Sequence, residues 1–295
     1  MLRNNLNEIN DEIINSKVRR SISDKVSRVI LIVLLSFISL TALFPLYFIL
    51  VTALKGQPEF VVNQLGLPIH PVLSSFERAF RGREIPLWFL NSVIITIAVV
   101  IVVTLLGSLS AYAFARMRFR AKEFLFTGII SLMVVPPVLM IIPLFVLMVN
   151  IHLVNTYFSV ILVYIGILLP FTIYMLKSFF VTISQEIIDA AIVDGCSDFM
   201  VYWKIMLPLA RPALATLVIV NAIYVWNELL IALILLQKNE LKTLMVGLTS
   251  FKSRYNMDVP VTMAGLAIAT VPLIIIYLLS QRQFIRGLVA GSIKG

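Results

Sequence analysis

SQEIIDAAIVDGCSDFMVYWKIMLPLARP, residues 184–212, decides how the chain reads. It stands between two long hydrophobic runs and carries Glu186, Asp189, Asp194, Asp198, Lys204 and Arg211, so it lies outside lipid. Its apolar residues nonetheless keep helical spacing, with Ile187, Ile188, Ala191 and Ile192 on one stripe. Ser184 suits an N-cap, and Gln185 and Glu186 place polar and acidic groups in the first turn. Gly195 takes a positive φ at little cost, which suits a sharp turn. A second helix is predicted from about Ser197 to Leu207, stopped by Pro208 and Pro212. Two short amphipathic helices hinged at a glycine make a knob, a shape on which something can dock.

The rest of the chain is membrane. Of its 295 residues 60% are hydrophobic and 13% charged, far from the roughly 25% charged of globular domains. Six spans of about 20 residues use up much of that length and leave no room for a large soluble domain. The net charge of +9 does not point to nucleic acid, because cytoplasmic loops of membrane proteins are enriched in Lys and Arg anyway. The single cysteine, Cys196, excludes an intrachain disulfide and a cysteine-based zinc site. His70 and His152 sit on separate loops and supply neither a His-rich metal site nor a catalytic triad. No GxxxxGK[ST] sequence occurs, so the chain does not bind ATP by that route.

Residues 1–28 lack the layout of a secretory signal and read as a retained cytoplasmic tail. The expected spans are about Val29–Leu54, Ser92–Ala115, Phe124–Val149, Phe158–Phe180, Ala213–Leu236 and Thr262–Ser280, with residues 281–295 as a second tail. Phe76–Phe89 reads as a short helix on the membrane surface. Small residues from Gly107 to Ala113 suggest close helix packing. Pro136, Pro137 and Pro143 predict a broken or kinked third span. On this layout the segments assigned to the cytoplasm hold sixteen lysines and arginines and the outer segments eight. That bias puts both termini and the 184–212 knob in the cytoplasm.

Glu228 is the single acid expected inside a span, and Asn221, seven residues earlier, shares its helix face. An ionisable group in a span faces the bundle interior or a water-filled cavity. Asn221, Trp226, Asn227 and Glu228 therefore read either as a lining of a translocation path or as structural partners of a neighbouring helix.

The order Asp189-Ala190-Ala191, Asp194-Gly195, Leu207-Pro208 and Pro212 resembles the EAA loop of binding-protein-dependent ABC importer permeases. In that family the loop forms coupling helices seated in a cleft of the ATP-binding subunit. The resemblance gives that role to Glu186, Asp189, Ala190, Ala191, Asp194, Gly195 and Pro208. The family usually has Glu where this chain has Asp189, and often Ala at Cys196; the shorter Asp side chain alters the reach of any salt bridge there. Trp226-Asn227-Glu228, Leu90-Asn91-Ser92, Ala111–Arg116 and the end of the chain from Phe284 to Gly295 are similar to the carbohydrate branch, in particular the smaller permease of maltose-type oligosaccharide importers.

The resemblance implies an all-α permease that is not itself an enzyme, with no cofactor in this chain. ATP and magnesium would be bound by two partner ATPase subunits, a homologous permease would complete the pore, and an extracytoplasmic binding protein would deliver a sugar. The place implied is the cytoplasmic membrane. Two rivals remain: a permease of the same superfamily for an amino acid, peptide or polyamine, and an ion-coupled secondary transporter. The second predicts several intramembrane charges and an internal repeat, and neither is seen in the sequence.

Overall fold

The computed structural model describes the backbone of residues 2–80, 84–249 and 258–292, and side chains over 27–80, 84–249 and 258–278. Among these residues every regular element is helical. In order they are α1 (Leu2–Ala53), α2 (Gln57–Val62), α3 (Ser74–Phe80), α4 (Glu84–Arg116), α5 (Lys122–Ser131), α6 (Pro137–Asn150), α7 (Tyr157–Thr182), α8 (Gln185–Val193), α9 (Asp198–Val201), α10 (Leu207–Leu209), α11 (Arg211–Asn227), α12 (Leu230–Leu235), α13 (Leu244–Thr249) and α14 (Val259–Ser292). Four helical stretches are long and apolar enough to cross a membrane unbroken: Ser27–Ala53, Glu84–Arg116, Tyr157–Thr182 and Val259–Leu278. Two bent pairs, Lys122–Val134 with Pro137–Asn150 and Asp198–Leu209 with Arg211–Asn227, bring the count to six if each is one span; if only Arg211–Asn227 of the second pair lies in the membrane, α9 and α10 stand outside it.

The third span breaks where its prolines predict. A 3-10 turn, Leu132–Val134, follows α5, and Val135 and Pro136 are extended before α6. A residue preceding proline is pushed out of the helical region, and proline itself offers no N–H. The two halves meet at 103°.

Three buried clusters lie along the bundle, and α4 threads them all. Ile85 and Trp88 join one that includes Trp226, Leu244 and Ala264. Ile95, Val99 and Val103 join the middle one, with Val160, Tyr164 and Leu235. Ala111 and Tyr112 join the one at the knob, with Phe180, Ile188, Tyr202 and Met206. The small residues near the end of α4 do allow close packing, since a Cβ on Gly107 would come within 2.6 Å of the Thr172 methyl on α7.

Several boundaries move. The second span begins at Glu84 rather than Ser92, so Phe76–Phe89 is not one surface helix; α3 ends at Phe80 and Trp88 is buried within α4. Trp88 packs against Gly247 of α13, where an added Cβ would sit 2.0 Å from its ring. Its indole N–H donates to the Asn239 carbonyl at 2.9 Å. That contact spans about half the chain and leaves no local periodicity to read. The segment expected to be an outer loop after Gln237 likewise contains α13, whose Leu244, Val246 and Leu248 are buried. The fifth span is interrupted: α11 ends at Asn227, Glu228 is extended, and α12 starts at Leu230.

Candidate functional site

The knob folds as its residues dictate, with two exceptions. Ser184 caps α8 by accepting the Glu186 N–H at 3.2 Å, and Ser197 caps α9 by accepting the Met200 N–H at 3.4 Å. Gly195 turns the chain with φ of +85°. The first exception is the second helix. It runs to Leu209, not Leu207, and a π-helical stretch, Tyr202–Met206, separates α9 from α10. Pro208 therefore lies inside the helical run instead of ending it. Proline has no N–H for the carbonyl four residues back and its ring crowds that carbonyl, and the wider π turn just before it relieves both. The chain turns at Ala210, and α9–α10 meets α11 at 76°.

The second exception is the apolar stripe of α8, which divides between two environments. Ile188 and Ala191 are buried against the bundle, while Ile187 and Ile192 are about half exposed at 46% and 49%. Beside them Val193, Phe199 and Trp203 are open to solvent. Glu186, Asp189, Ala190, Asp194 and Asp198 are exposed too, and the carboxylates of Glu186 and Asp194 have no partner among the described residues. Asp189 accepts from the Gln185 amide at 2.9 Å. The outer face thus presents large apolar side chains among free acids.

The inner face is bolted to α4. Ser108, Tyr112 and Arg116 recur every four residues, so one face of α4 carries all three. The Ser108 hydroxyl shares a hydrogen bond with the Tyr202 hydroxyl at 2.8 Å. Tyr112 donates to the Asp198 carbonyl at 3.1 Å. The Arg116 guanidinium donates to the Gln185 side chain at 2.8 Å and to the carbonyls of Phe180 and Ile183 at 2.6 and 2.5 Å. Burial pushes the Tyr202 phenol above its ordinary pKa, with the Ser108 bond opposing that shift. From sequence these α4 residues registered as a packing stripe and a basic loop. The spacing of Ser108, Tyr112 and Arg116 was the available signal.

The polar set of the fifth span separates. Because α11 ends at Asn227, Asn221 and Glu228 do not share a helix face by their spacing. Both still turn toward α7, at Thr172 and Tyr164. The Glu228 carboxylate accepts the Tyr164 hydroxyl at 2.6 Å and the N–H groups of Ile231 and Ala232 at 3.0 and 3.2 Å, capping α12 across the break. Trp226 is buried and donates to the Ala269 carbonyl at 3.1 Å. Asn227 donates to its own helix at Ile223.

Asn221 differs. Its side-chain N–H donates to Thr172 at 3.1 Å, while its Oδ1 is buried with no protein donor. It borders a cavity of about 470 Å³ between the broken third span, α7 and α11, lined also by Pro137, Phe171 and Tyr224. Among the described residues no cluster of three His, Cys, Asp or Glu is arranged to hold a metal.

The bundle of apolar helices is broken at two spans and carries a knob of exposed acids and aromatics, and comparison with known proteins gives its family. Residues 103–289 match the family described as "Binding-protein-dependent transport system inner membrane component", and the chain belongs to it. It is similar to the probable ABC transporter permease protein YurM of Bacillus subtilis, 33% identical over 254 residues, 85% of this chain and 84% of that one. It is 32% identical over 282 residues to the arabinooligosaccharides transport system permease protein AraQ of the same species, covering 94% of this chain and all of that one. A solved bacterial ABC transporter involved in the import of the acidic polysaccharide alginate contains a chain of the same fold, with a TM-score of 0.77 at 24% identity over 88% of this chain and 97% of that one. The protein is thus a multi-pass permease component of the inner membrane.

Proposed function

We propose that this chain is one permease half of an ATP-driven importer that carries a sugar or oligosaccharide inward by alternating access. The pore would be completed by a homologous permease. Two ATP-binding subunits holding ATP and magnesium would sit beneath it, and an extracytoplasmic binding protein would deliver solute from above. Both termini and the knob face the cytoplasm in this reading, in line with the sixteen-to-eight excess of Lys and Arg on that side. The sugar assignment draws on relatives such as AraQ and the diacetylchitobiose uptake permease NgcG of Streptomyces coelicolor, which is 31% identical over 258 residues.

The observation that carries the reading is the two-faced knob. Its outer side has Ile187, Ile192, Phe199 and Trp203 exposed among Glu186, Asp189 and Asp194, a surface fit for a cleft lined with apolar and basic groups. Its inner side is held by Ser108, Tyr112 and Arg116 of α4. A force on the knob is thereby transmitted to a helix that runs through all three cores. The translocation path in this chain would run past Asn221 and Tyr224 at the broken third span, with Trp226 and Glu228 holding the bundle around it.

Purification of the tagged chain from its native membrane, followed by mass spectrometry and vesicle uptake, tests this. The expected result is an ATPase and a second permease in the complex, with ATP-dependent accumulation of an oligosaccharide. Recovery of the chain without any ATPase would overturn the assignment. Uptake of an amino acid or peptide instead would retain the importer and replace the solute.

A further inference from the structure

Leu90-Asn91-Ser92 carries part of the family resemblance but has no place in the site described so far. Asn91 and Ser92 are buried in α4, toward the end opposite the knob. The Asn91 amide nitrogen donates to the carbonyls of Glu240 at 2.8 Å and Lys242 at 2.9 Å. Its Oδ1 accepts the Tyr157 hydroxyl of α7 at 2.6 Å. Carbonyls only accept, so this network fixes which way the amide is turned and uses both of its N–H groups. Ser92 accepts the N–H of Leu244, the first residue of α13, at 2.8 Å. Trp88 donates to the Asn239 carbonyl, and the Asn239 side chain donates back to Glu84 at 2.9 Å. Glu84, Trp88, Asn91 and Ser92 fall at i, i+4, i+7 and i+8, on one face of α4.

The strapped segment, residues 237–244, joins α12 to α13 and holds only a 3-10 turn, Asn239–Leu241. Its backbone is tied to α4 by partners 149 to 152 residues away. The N–H groups of Gln237 and Lys238 donate to the Asn155 Oδ1 at 2.7 and 3.0 Å. The residues from Gln237 to Glu240 are nonetheless exposed. The backbone is thus gripped by the bundle while the side chains meet solvent.

The helix between strap and knob is suited to carry motion. α4 has 33 residues and no proline in its interior, whereas the other three unbroken spans contain Pro45, Pro170 and Pro272. Pro86 lies in its first turn, where an N–H has no helical partner anyway. An interior proline removes a hydrogen bond and is the usual place for a helix to kink. Ser92 in the strap and Ser108 at the knob are 16 residues apart, about 24 Å at about 1.5 Å per residue.

We propose that Asn91 and Ser92 are positioning residues of the transport cycle. They fix the 237–244 segment to α4, so that segment, helix and knob move as one body. A displacement of the knob is thereby delivered to the opposite end of the bundle. The inference rests on the reading of the knob as the grip of an ATPase.

The test uses the whole transporter reconstituted in vesicles, with Cys196→Ala and partner subunits freed of reactive cysteines. Spin labels are placed at Lys238→Cys and Lys204→Cys, both exposed and without a side-chain partner among the described residues. The distance between the labels should be the same without nucleotide and with magnesium and a non-hydrolysable ATP analogue. Asn91→Asp turns a carboxylate oxygen toward the carbonyls of Glu240 and Lys242, and in this variant the analogue should change the distance. Its solute uptake per ATP hydrolysed should fall at least about fivefold, the low end of ordinary coupling factors. Ser92→Ala removes one bond, should move both readouts less, and decides the matter where Asn91→Asp does not assemble. A wild-type distance that changes with the analogue would overturn the proposal. So would a variant in which neither readout moves, or only one. Co-purification of an ATPase on the same samples separates the two failures: without it the importer reading falls and takes this inference along, and with it only this inference is at stake.

Discussion

Carboxylates occur at two prominent places in this chain and behave in opposite ways. On the knob, Glu186 and Asp194 are exposed with no partner among the described residues. At the break in the fifth span, Glu228 receives three hydrogen bonds from Tyr164, Ile231 and Ala232. The first set stays solvated and unpaired; the second is consumed in holding the bundle together. The surroundings explain the difference. An exposed acid is solvated and costs nothing to leave unpaired, whereas an acid in a span must be satisfied from within. A free charge is thus informative about partners only where water can reach it.

The sharpest attack on the knob half of this contrast is Gly195→Val. At φ of +85° a left-handed residue with a Cβ costs about 1–2 kcal/mol, and more for a β-branched one. With open space around the site, the strain falls on the turn itself. Membrane insertion should persist while ATP-driven uptake in vesicles is abolished. Wild-type uptake by this variant would show that the knob is not the transmission element.

Next in size is Arg116→Ala, which strips the charge-assisted bonds to Gln185, Phe180 and Ile183 and should cost about 2–3 kcal/mol locally. ATP hydrolysis should continue with uptake per ATP reduced, since the knob would move without taking α4 with it. If the uptake-to-hydrolysis ratio is unchanged, α4 is not the driven helix.

Glu228→Ala probes the other half. Losing the helix cap and leaving the buried Tyr164 hydroxyl unpaired should cost about 1–3 kcal/mol. The melting temperature in detergent should fall, with uptake per folded molecule nearly intact. An unchanged melting temperature with lost uptake would move Glu228 from the scaffold to the solute path.

Smallest in stability is the pair Glu186→Gln and Asp194→Asn. These exposed acids should shift folding by no more than about 0.5 kcal/mol. Association with the ATPase subunit, measured by co-purification across a salt series, should weaken and lose part of its salt dependence. Equal binding at every salt concentration would mean that the apolar side chains alone make the contact.

Much of this is legible in the sequence. The polar stretch 184–212, with its caps at Ser184 and Ser197 and its hinge at Gly195, could be read directly because capping and positive φ depend on nearest neighbours. The break at Pro136-Pro137 was equally local. The π turn before Pro208 was missed, since periodicity sets helix type only coarsely. The role of Glu228 stayed open because its partner Tyr164 is 64 residues away.

The sequence by itself determined that this chain has several spans long and apolar enough to cross a membrane, two short helices hinged at Gly195 and a third span broken at its prolines, because hydrophobic run length, caps, glycine and proline act within a few residues. Only the tertiary structure decided which polar groups are free. Arg116 became a clamp, Glu228 a cap and the buried Lys55 a donor to the carbonyls of Asn63, Gln64 and Gly66 through contacts that no local pattern encodes. The physical reason is that hydrogen-bond satisfaction in a low-dielectric interior is settled by whatever donor the fold brings near, however far away it lies in the chain.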